Sequence, residues 1–436
     1  MKKAALHNLG CKVNSYETDA MRRILEDAGY EIVDFHDEAD VYVINTCTVT
    51  NIADRKSRQM ISRARTQNPD AIVVAAGCYV QNGSHKETEA DILIGNDEKG
   101  LLVGAIEDFE KSRERGIYIH DIIRDRSCEE LIAPSLTDKS RAFLKIEDGC
   151  DMYCTYCIIP YVRGRVRSLA EGEILDNVRR RFDEGCHEVV LNGIHLSSYG
   201  KDTGTDLLAL LKEIETMEPS GRVRLGSLEM GYLTEDIIRQ MSDMRCLCPH
   251  FHLSLQSGCD SVLSRMGRKY TSADYKATVE NIRKYFHKPS LTTDIICGFP
   301  GESDSEFMET RNFVKDIAFS NAHIFPYSRR KGTKADTFPD QLTNAVKKER
   351  VRILQADIAL TKEAYESSLI GERAYAIAED LCTVNGIEMY TAHTERYVEV
   401  HIPTSGISRG DMVIGVIERG ACGLTLKIDQ EQGSFL

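Results

Sequence analysis

No apolar run in this chain approaches the ~20 residues that a membrane-spanning helix needs. Its opening MKKAALHNLGCK also lacks the roughly 7 to 15 apolar residues of a secretory signal. A cytoplasmic location with no membrane partner is therefore expected. Positive charge is short as well: 55 Lys and Arg stand against 68 Asp and Glu, a formal net charge of −13, which argues against wholesale nucleic-acid binding. Screening confines an exposed charge to a Debye length of about 8 Å, so a local basic patch can still hold phosphate. A disulfide framework is excluded by the same expected compartment. Of the 14 cysteines, those grouped by spacing then read as ligands and the scattered ones as small buried hydrophobes. The 436 residues, 42% of them hydrophobic, suffice for about three globular domains.

The stretch that stands out is Gly149-Cys150-Asp151-Met152-Tyr153-Cys154-Thr155-Tyr156-Cys157, three thiols at C-x3-C-x2-C spacing. An iron-sulfur cube is usually held by four thiolates, so three leave one iron open to a reagent. A zinc knot with a distant fourth ligand is the other reading of the spacing. The loop resembles that of the radical S-adenosylmethionine (SAM) enzymes. In that superfamily the open iron chelates SAM, and a reduced cluster releases a 5'-deoxyadenosyl radical from it.

Residues 1–125 read as a parallel α/β unit. Three short apolar runs, at Ala4, Val41 and Ala71, lead into Cys11, Cys47 and Cys78, as in strands covered on both faces. Asn14 to Ala28 between the first two has helical spacing, with Asn14 and Glu17 as a capping pair and Gly29 as its stop. Crossovers of one hand bring the carboxyl ends of such strands to one sheet edge, where the three thiols can converge as a second open site. Three separately buried thiols are the alternative. The helix Asn51 to Gln67 carries Arg55, Lys56, Arg58, Arg63 and Arg65, either a solvated face or a phosphate-contacting strip. Residues 126–139, with Cys128, lack periodicity and read as a linker.

Residues 140–370 hold six strand candidates alternating with helices, from Phe143, Glu188, Val223, His250, Leu291 and Ala322. This pattern implies a partly closed parallel α/β barrel whose chemistry sits at the carboxyl ends of its strands. The three-cysteine loop follows the first strand. By resemblance to radical SAM enzymes, Tyr156, Gly193, Ser227, Glu229 and Ile296 are expected around SAM. Arg163, Arg165 and Arg167, with Arg329 and Arg330 after the sixth strand, are candidates for an anionic substrate at the barrel mouth; solvated surface is the other reading. Cys246, Cys248, His250 and His252 alternate as one face of a strand would, and packing is expected there ahead of metal binding. Residues 371–436 break into short β-rich pieces that suit a small OB-like barrel. That piece carries ten acidic against five basic side chains, so RNA contact there would be local, through Tyr390 or Tyr397, unless the module mainly docks on the barrel.

Taken together, the chain resembles the methylthiotransferase family: an N-terminal cluster domain, a radical SAM barrel and a C-terminal TRAM domain. The resemblance implies two 4Fe-4S clusters, SAM as cofactor, external electron and sulfur donors, and insertion of a methylthio group at an unactivated C–H. It also implies cluster ligation by Cys11, Cys47, Cys78, Cys150, Cys154 and Cys157. Leu9-Gly10-Cys11-Lys12-Val13-Asn14, Asn45-Thr46-Cys47-Thr48 and Phe325-Pro326-Tyr327-Ser328-Arg329-Arg330 resemble the branch acting on N6-threonylcarbamoyladenosine in the tRNA anticodon stem-loop. Branches acting on isopentenyladenosine or on a ribosomal-protein aspartate remain alternatives. So do an RNA-binding iron-sulfur sensor without catalysis and a simple methyltransferase.

Overall fold

The computed structural model describes residues 1–83, 88–123, 140–421 and 423–429; the expected linker at 126–139, with Cys128, lies outside the described residues. The first unit runs β1 (Lys3–Asn8), α1 (Lys12–Asp27), β2 (Glu31–Val33), β3 (Val41–Thr46), α2 (Asn51–Gln67), β4 (Ile72–Gly77), α3 (Cys78–Gln81), β5 (Ile92–Ile94), α4 (Leu102–Ser112) and β6 (Gly116–Tyr118). Its six strands pair in parallel in the order β2-β1-β3-β4-β5-β6. Every residue of β3 and β4 is buried, because helices cover both faces. Met21 and Leu25 of α1 pack on one face with Leu102 and Ile106 of α4, and Ile61 and Ala64 of α2 pack on the other.

One detail differs from the sequence reading. Helix α1 begins at Lys12 after Cys11, with no side-chain cap. Asn14 and Glu17 are not a capping pair; both are buried and turned toward the barrel.

The barrel runs β7 (Ala142–Lys145), β8 (Glu147–Asp148), α5 (Ile159–Val162), β9 (Arg167–Ser168), α6 (Glu171–Asp183), β10 (Glu188–Asn192), α7 (Leu207–Thr216), β11 (Arg222–Leu225), β12 (Ser227–Leu228), α8 (Glu235–Ser242), β13 (His250–Leu253), α9 (Asp260–Met266), α10 (Ser272–Tyr285), β14 (Ser290–Cys297), α11 (Asp304–Ile317) and β15 (Asn321–Pro326). Sheets β11-β10-β7 and β12-β13-β14-β15 are parallel throughout. They join where the chain passes from β11 to β12 at Gly226 and where Val223 bridges Leu247. Capping boxes at Thr271/Asp274 and Ser303/Glu306 start α10 and α11, satisfying backbone N–H groups that would otherwise lack partners.

Strand alternation divides the barrel into two environments. Val189, Leu191, Val223, Leu225, Phe251, Leu253, Leu291 and Ile295 join the apolar core under the helices. Their neighbours on the opposite face are Glu188, Arg222, Arg224, His250, His252, Thr292, Asp294 and Ile296, and register continues this row to His323 and Phe325. The inner row is thus mixed, with charged and polar side chains from Glu188 to Asp294 beside the apolar Val190, Ile296 and Phe325, unlike the wholly apolar layer under the helices.

Helix α12 (Asn344–Ser368) leads into a closed barrel of β16 (Arg373–Val384), β17 (Ile387–Thr394), β18 (Glu399–Pro403), β19 (Met412–Gly420) and β20 (Gly423–Ile428), ordered β16-β17-β18-β20-β19. It docks on the amino ends of the large-barrel strands. Arg222 donates to the Tyr375 and His393 carbonyls at 2.5 and 3.1 Å, and Arg224 to those of Glu395 and Thr394 at 3.0 and 3.1 Å. Part of the acidity of this module therefore faces barrel cations: Glu379 pairs with Arg141, and Glu372 with Lys288.

Candidate active site

Cys11, Cys47 and Cys78 follow the adjacent strands β1, β3 and β4 and meet at one edge of the sheet. Gly10, at φ +105°, permits this closeness: a Cβ there would lie 2.9 Å from Cys47 Cβ and 3.0 Å from its Sγ. Cys11 is exposed, whereas Cys47 and Cys78 are buried. Asn96 Nδ2 donates to Cys78 Sγ at 3.6 Å and to the Val162 carbonyl at 2.6 Å.

Cys150, Cys154 and Cys157 lie in the loop after β8. Gly149 (φ +83°) starts it where a Cβ would fall 1.9 Å from the Arg165 carbonyl oxygen. The two thiol sets share a boundary, because Cys78 packs against Ile158 and Val162, the segment that follows Cys157. Burial pushes the thiols of Cys47, Cys150 and Cys157 up to about 12. They are neutral at pH 7 unless a metal takes the proton's place. All six thiols are free of disulfides. Among the described residues no three His, Cys, Asp or Glu side chains close on a single ion. Two sets of three free thiols, each at a strand-end edge, instead fit clusters, in which each thiolate binds its own iron.

The SAM-side candidates fall around the second set. Tyr156 and Ile296 pack on one cluster with Phe299 and Tyr327. Gly193 follows β10 beside the buried Glu147 carboxyl, whose Oε2 accepts from His195 N at 2.7 Å. Ser227 stands in register with His252. Glu229 is held by Arg268, whose Nη2 lies 2.5 and 2.6 Å from its two oxygens, while Arg268 Nη1 donates to Cys154 Sγ at 3.3 Å. Arg268 was not anticipated from sequence. Its only local signal is Gly267, the left-handed end of α9 (φ +76°) that rests on Thr155 and Cys154.

The five arginines expected at the mouth divide. Arg163 and Arg167 are not open cations. Arg163 is fully buried against Glu17, Asp148 and Asn14, and Arg167 is buried against Asp97. Arg330 is also buried, bonded to Asp54, Asn51 and Thr48 at 2.6, 2.8 and 2.7 Å; it ties the loop after β15 to the start of α2. Arg165, half exposed, and Arg329, paired with Asp336 at 2.6 Å, remain accessible. Arg165 lines a cavity of about 500 Å³ beside the three-cysteine loop, with Lys201, Lys269, Asp151, Asp202 and His195. Burial, with Lys201 and Arg268 adding to it, lowers His195 to about 4, so its imidazole is neutral at pH 7. On α2, Arg55, Lys56, Arg58 and Arg63 are exposed, while Arg65 pairs with Asp91. Cys246 and Cys248 are buried before β13, and the His250 ring stacks on Tyr397 of the small barrel.

A partial parallel barrel with a three-cysteine loop after its first strand defines a radical SAM enzyme, here with a second thiol set next to the first. Residues 144–314 match the Radical SAM superfamily, and residues 3–95 match the Uncharacterized protein family UPF0004. The threonylcarbamoyladenosine tRNA methylthiotransferase MtaB of Bacillus subtilis (strain 168) is 41% identical, covering 92% of this chain and 90% of that protein. Its namesake from Aquifex aeolicus (strain VF5) is 41% identical over 91% of this chain and 98% of its own. The tRNA-2-methylthio-N(6)-dimethylallyladenosine synthase of Moorella thermoacetica is 34% identical, covering 85% of each. The chain belongs to the radical SAM methylthiotransferase family. Among solved structures, the radical S-adenosylmethionine methyltransferase TsrM from Kitasatospora setae has a TM-score of 0.57 at 15% identity and covers 77% of each chain; that likeness is one of fold. No described helix is long and apolar enough to cross a membrane.

Proposed function

We propose that this enzyme converts N6-threonylcarbamoyladenosine beside the tRNA anticodon to its 2-methylthio derivative. The observation that carries the reaction is the pair of three-thiol sets that share a boundary where Cys78 packs on Ile158 and Val162. The substrate assignment is supported by relatives that bear this activity in their names at 41% identity over nine-tenths of the chain. On this reading Cys150, Cys154 and Cys157 hold one 4Fe-4S cluster and Cys11, Cys47 and Cys78 an auxiliary one. Bound there, the clusters and SAM supply a hydrogen-abstracting radical and a methylated sulfur.

The residues of the chain bind and orient. Tyr156 and Ile296 give an apolar wall for adenine, while Gly193, Ser227 and Glu229 give polar contacts to the rest of SAM, with Arg268 fixing the Glu229 carboxylate. Arg165 and Arg329 offer cations to tRNA, and the exposed strip Arg55, Lys56, Arg58 and Arg63 extends that surface past the acidic small barrel. Residues 1–125, 140–370 and 371–436 act as cluster, radical and TRAM domains, with the electron and sulfur supplied by outside donors.

Nucleoside mass spectrometry on tRNA from cells lacking the gene tests this, with complementation by wild type or Cys150→Ala. Wild type alone should restore 2-methylthio-threonylcarbamoyladenosine. Restoration of the methylthio-isopentenyl nucleoside would move the substrate to the other tRNA branch, and unchanged tRNA would leave the ribosomal aspartate or a sensor role.

A further inference from the structure

The basic side chains on the interior rows of the large barrel are almost all neutralised. Arg222 and Arg224 share Glu188 at 2.6 and 2.7 Å, Arg141 pairs with Glu379, and Lys145 lies 3.2 Å from both Glu17 and Asp148. Lys12, the first residue of α1 in the neighbouring unit, faces the same ring as these groups and is not neutralised. Its side chain is exposed and makes no hydrogen bond or ion pair to any described residue; its ammonium stands 5.7 Å from the centre of the Tyr397 ring, which the carboxylate-paired guanidiniums of Arg141 and Arg224 also face at 5.2 and 4.9 Å. That ring stacks between His250 and His393, with centroids 5.1 and 4.7 Å away. His250 is 5% exposed, and its Nδ1 has no partner while its Nε2 meets Thr292. An unpaired cation and an unpaired imidazole nitrogen therefore border one aromatic ring, and Lys12 directly follows the thiol of Cys11.

We infer that Lys12 is the specificity-determining residue that receives the carboxylate of the threonylcarbamoyl group. This rests on the function proposed above. Sulfur goes to C2 of the adenine. The threonylcarbamoyl group hangs from N6, and its urea N–H closes on N1. The threonyl carboxylate is thereby carried onto the edge that also holds C2. A base presented to the auxiliary thiols brings that carboxylate within reach of a side chain one residue from Cys11. An uncharged group at N6 leaves the Lys12 ammonium without an anion, so the same contact selects against it.

The test uses the reconstituted holoenzyme and anticodon stem-loops bearing the free threonylcarbamoyl acid, its methyl ester, or unmodified adenosine, with affinity read by fluorescence anisotropy. Wild type should prefer acid over ester by about tenfold or more, the scale of a charge-assisted hydrogen bond. Lys12→Met should bind acid and ester equally while its ester affinity and iron content match wild type, and Lys12→Arg should keep most of the preference. With the acid stem-loop titrated across its KM, KM should rise in Lys12→Met far more than kcat falls. If Lys12→Met keeps the acid preference, the inference is overturned and the proposed function stands. If wild type does not methylthiolate the acid stem-loop at all, the proposed function itself fails.

Discussion

Glu17 and Arg163, 146 residues apart, form a doubly bonded ion pair with neither side chain exposed: Arg163 Nη1 lies 2.9 Å from Glu17 Oε1 and Nη2 lies 3.1 Å from Oε2. Asp148, Lys99 and Lys145 complete the network. It fastens α1, and with it Cys11, to the strand that launches the three-cysteine loop. Burial alone would raise the Glu17 carboxyl, but Arg163, Lys99 and Lys145 outweigh it and hold it well below the usual carboxylate range.

Arg163→Met strips Glu17, Asp148 and Asn14 of a buried charge-assisted donor, so it should cost about 3 kcal/mol. Adding Glu17→Gln to that variant should deepen the loss, since the buried ammonium of Lys99 then loses its carboxylate. Urea unfolding of the two variants and wild type reads this directly. A single variant within about 1 kcal/mol of wild type would show that Lys99 and Lys145 suffice for Glu17.

This pair also shows where sequence reasoning stops. The strand-end cysteines are legible because each ends a short apolar run, and the barrel is legible because its strands alternate with helices. Asn14 and Glu17 read as a helix cap because polar residues three apart look alike whether they cap a turn or face a distant arginine. Arg163 and Arg167 read as surface charge because the carboxylates that bury them, Glu17, Asp148 and Asp97, come from elsewhere in the chain. The stack of His250, Tyr397 and His393 joins two separate units, and no local spacing announces it.

Arg268 places a guanidinium 3.3 Å from Cys154 Sγ. A nearby cation favours the more negative, reduced state of a cluster. If Cys154 holds a cluster, Arg268→Met should therefore shift its potential downward by roughly 60 mV, about 1.4 kcal/mol for one electron. It should also weaken SAM binding, since Glu229 loses its partner. Potentiometric EPR and SAM titration check both effects. Arg268→Lys should recover the potential more fully than the SAM affinity, because an ammonium keeps the charge but not the fork.

His393 gives the small-barrel interface a pH dependence. Burial, aided by Arg141, lowers its pKa from the ordinary 6.5 to about 4, against the opposing carboxylates of Glu399, Glu188 and Glu379, the last 2.9 Å from its Nδ1 and itself paired with Arg141. The unfolded chain then binds a proton between those values that the folded chain refuses. Its contribution is fully present above about pH 6.5 and is lost as pH falls toward 4, up to about 3 kcal/mol. Melting curves of wild type should fall over that window, and those of His393→Gln should fall less. Parallel curves for the two proteins would assign the loss to other groups.

The two thiol sets should be separable by product. If Cys154 holds the cluster that cleaves SAM, Cys154→Ala should abolish 5'-deoxyadenosine and with it every methylthio product. If Cys47 belongs to an auxiliary cluster, Cys47→Ala should lose about half of the bound iron. It should still form 5'-deoxyadenosine, because the loop after β8 keeps its three thiols, and it should make no methylthiolated nucleoside. Contact between Cys78 and residues 158–162 sets the limit of that independence: Val162→Ala, which removes packing on Cys78 but replaces no thiol, should retain both iron complements and lower the yield of product per 5'-deoxyadenosine formed. A yield unchanged in Val162→Ala would mean that the thiols on each side are placed by their own strands alone, and that the segment between them is only a spacer.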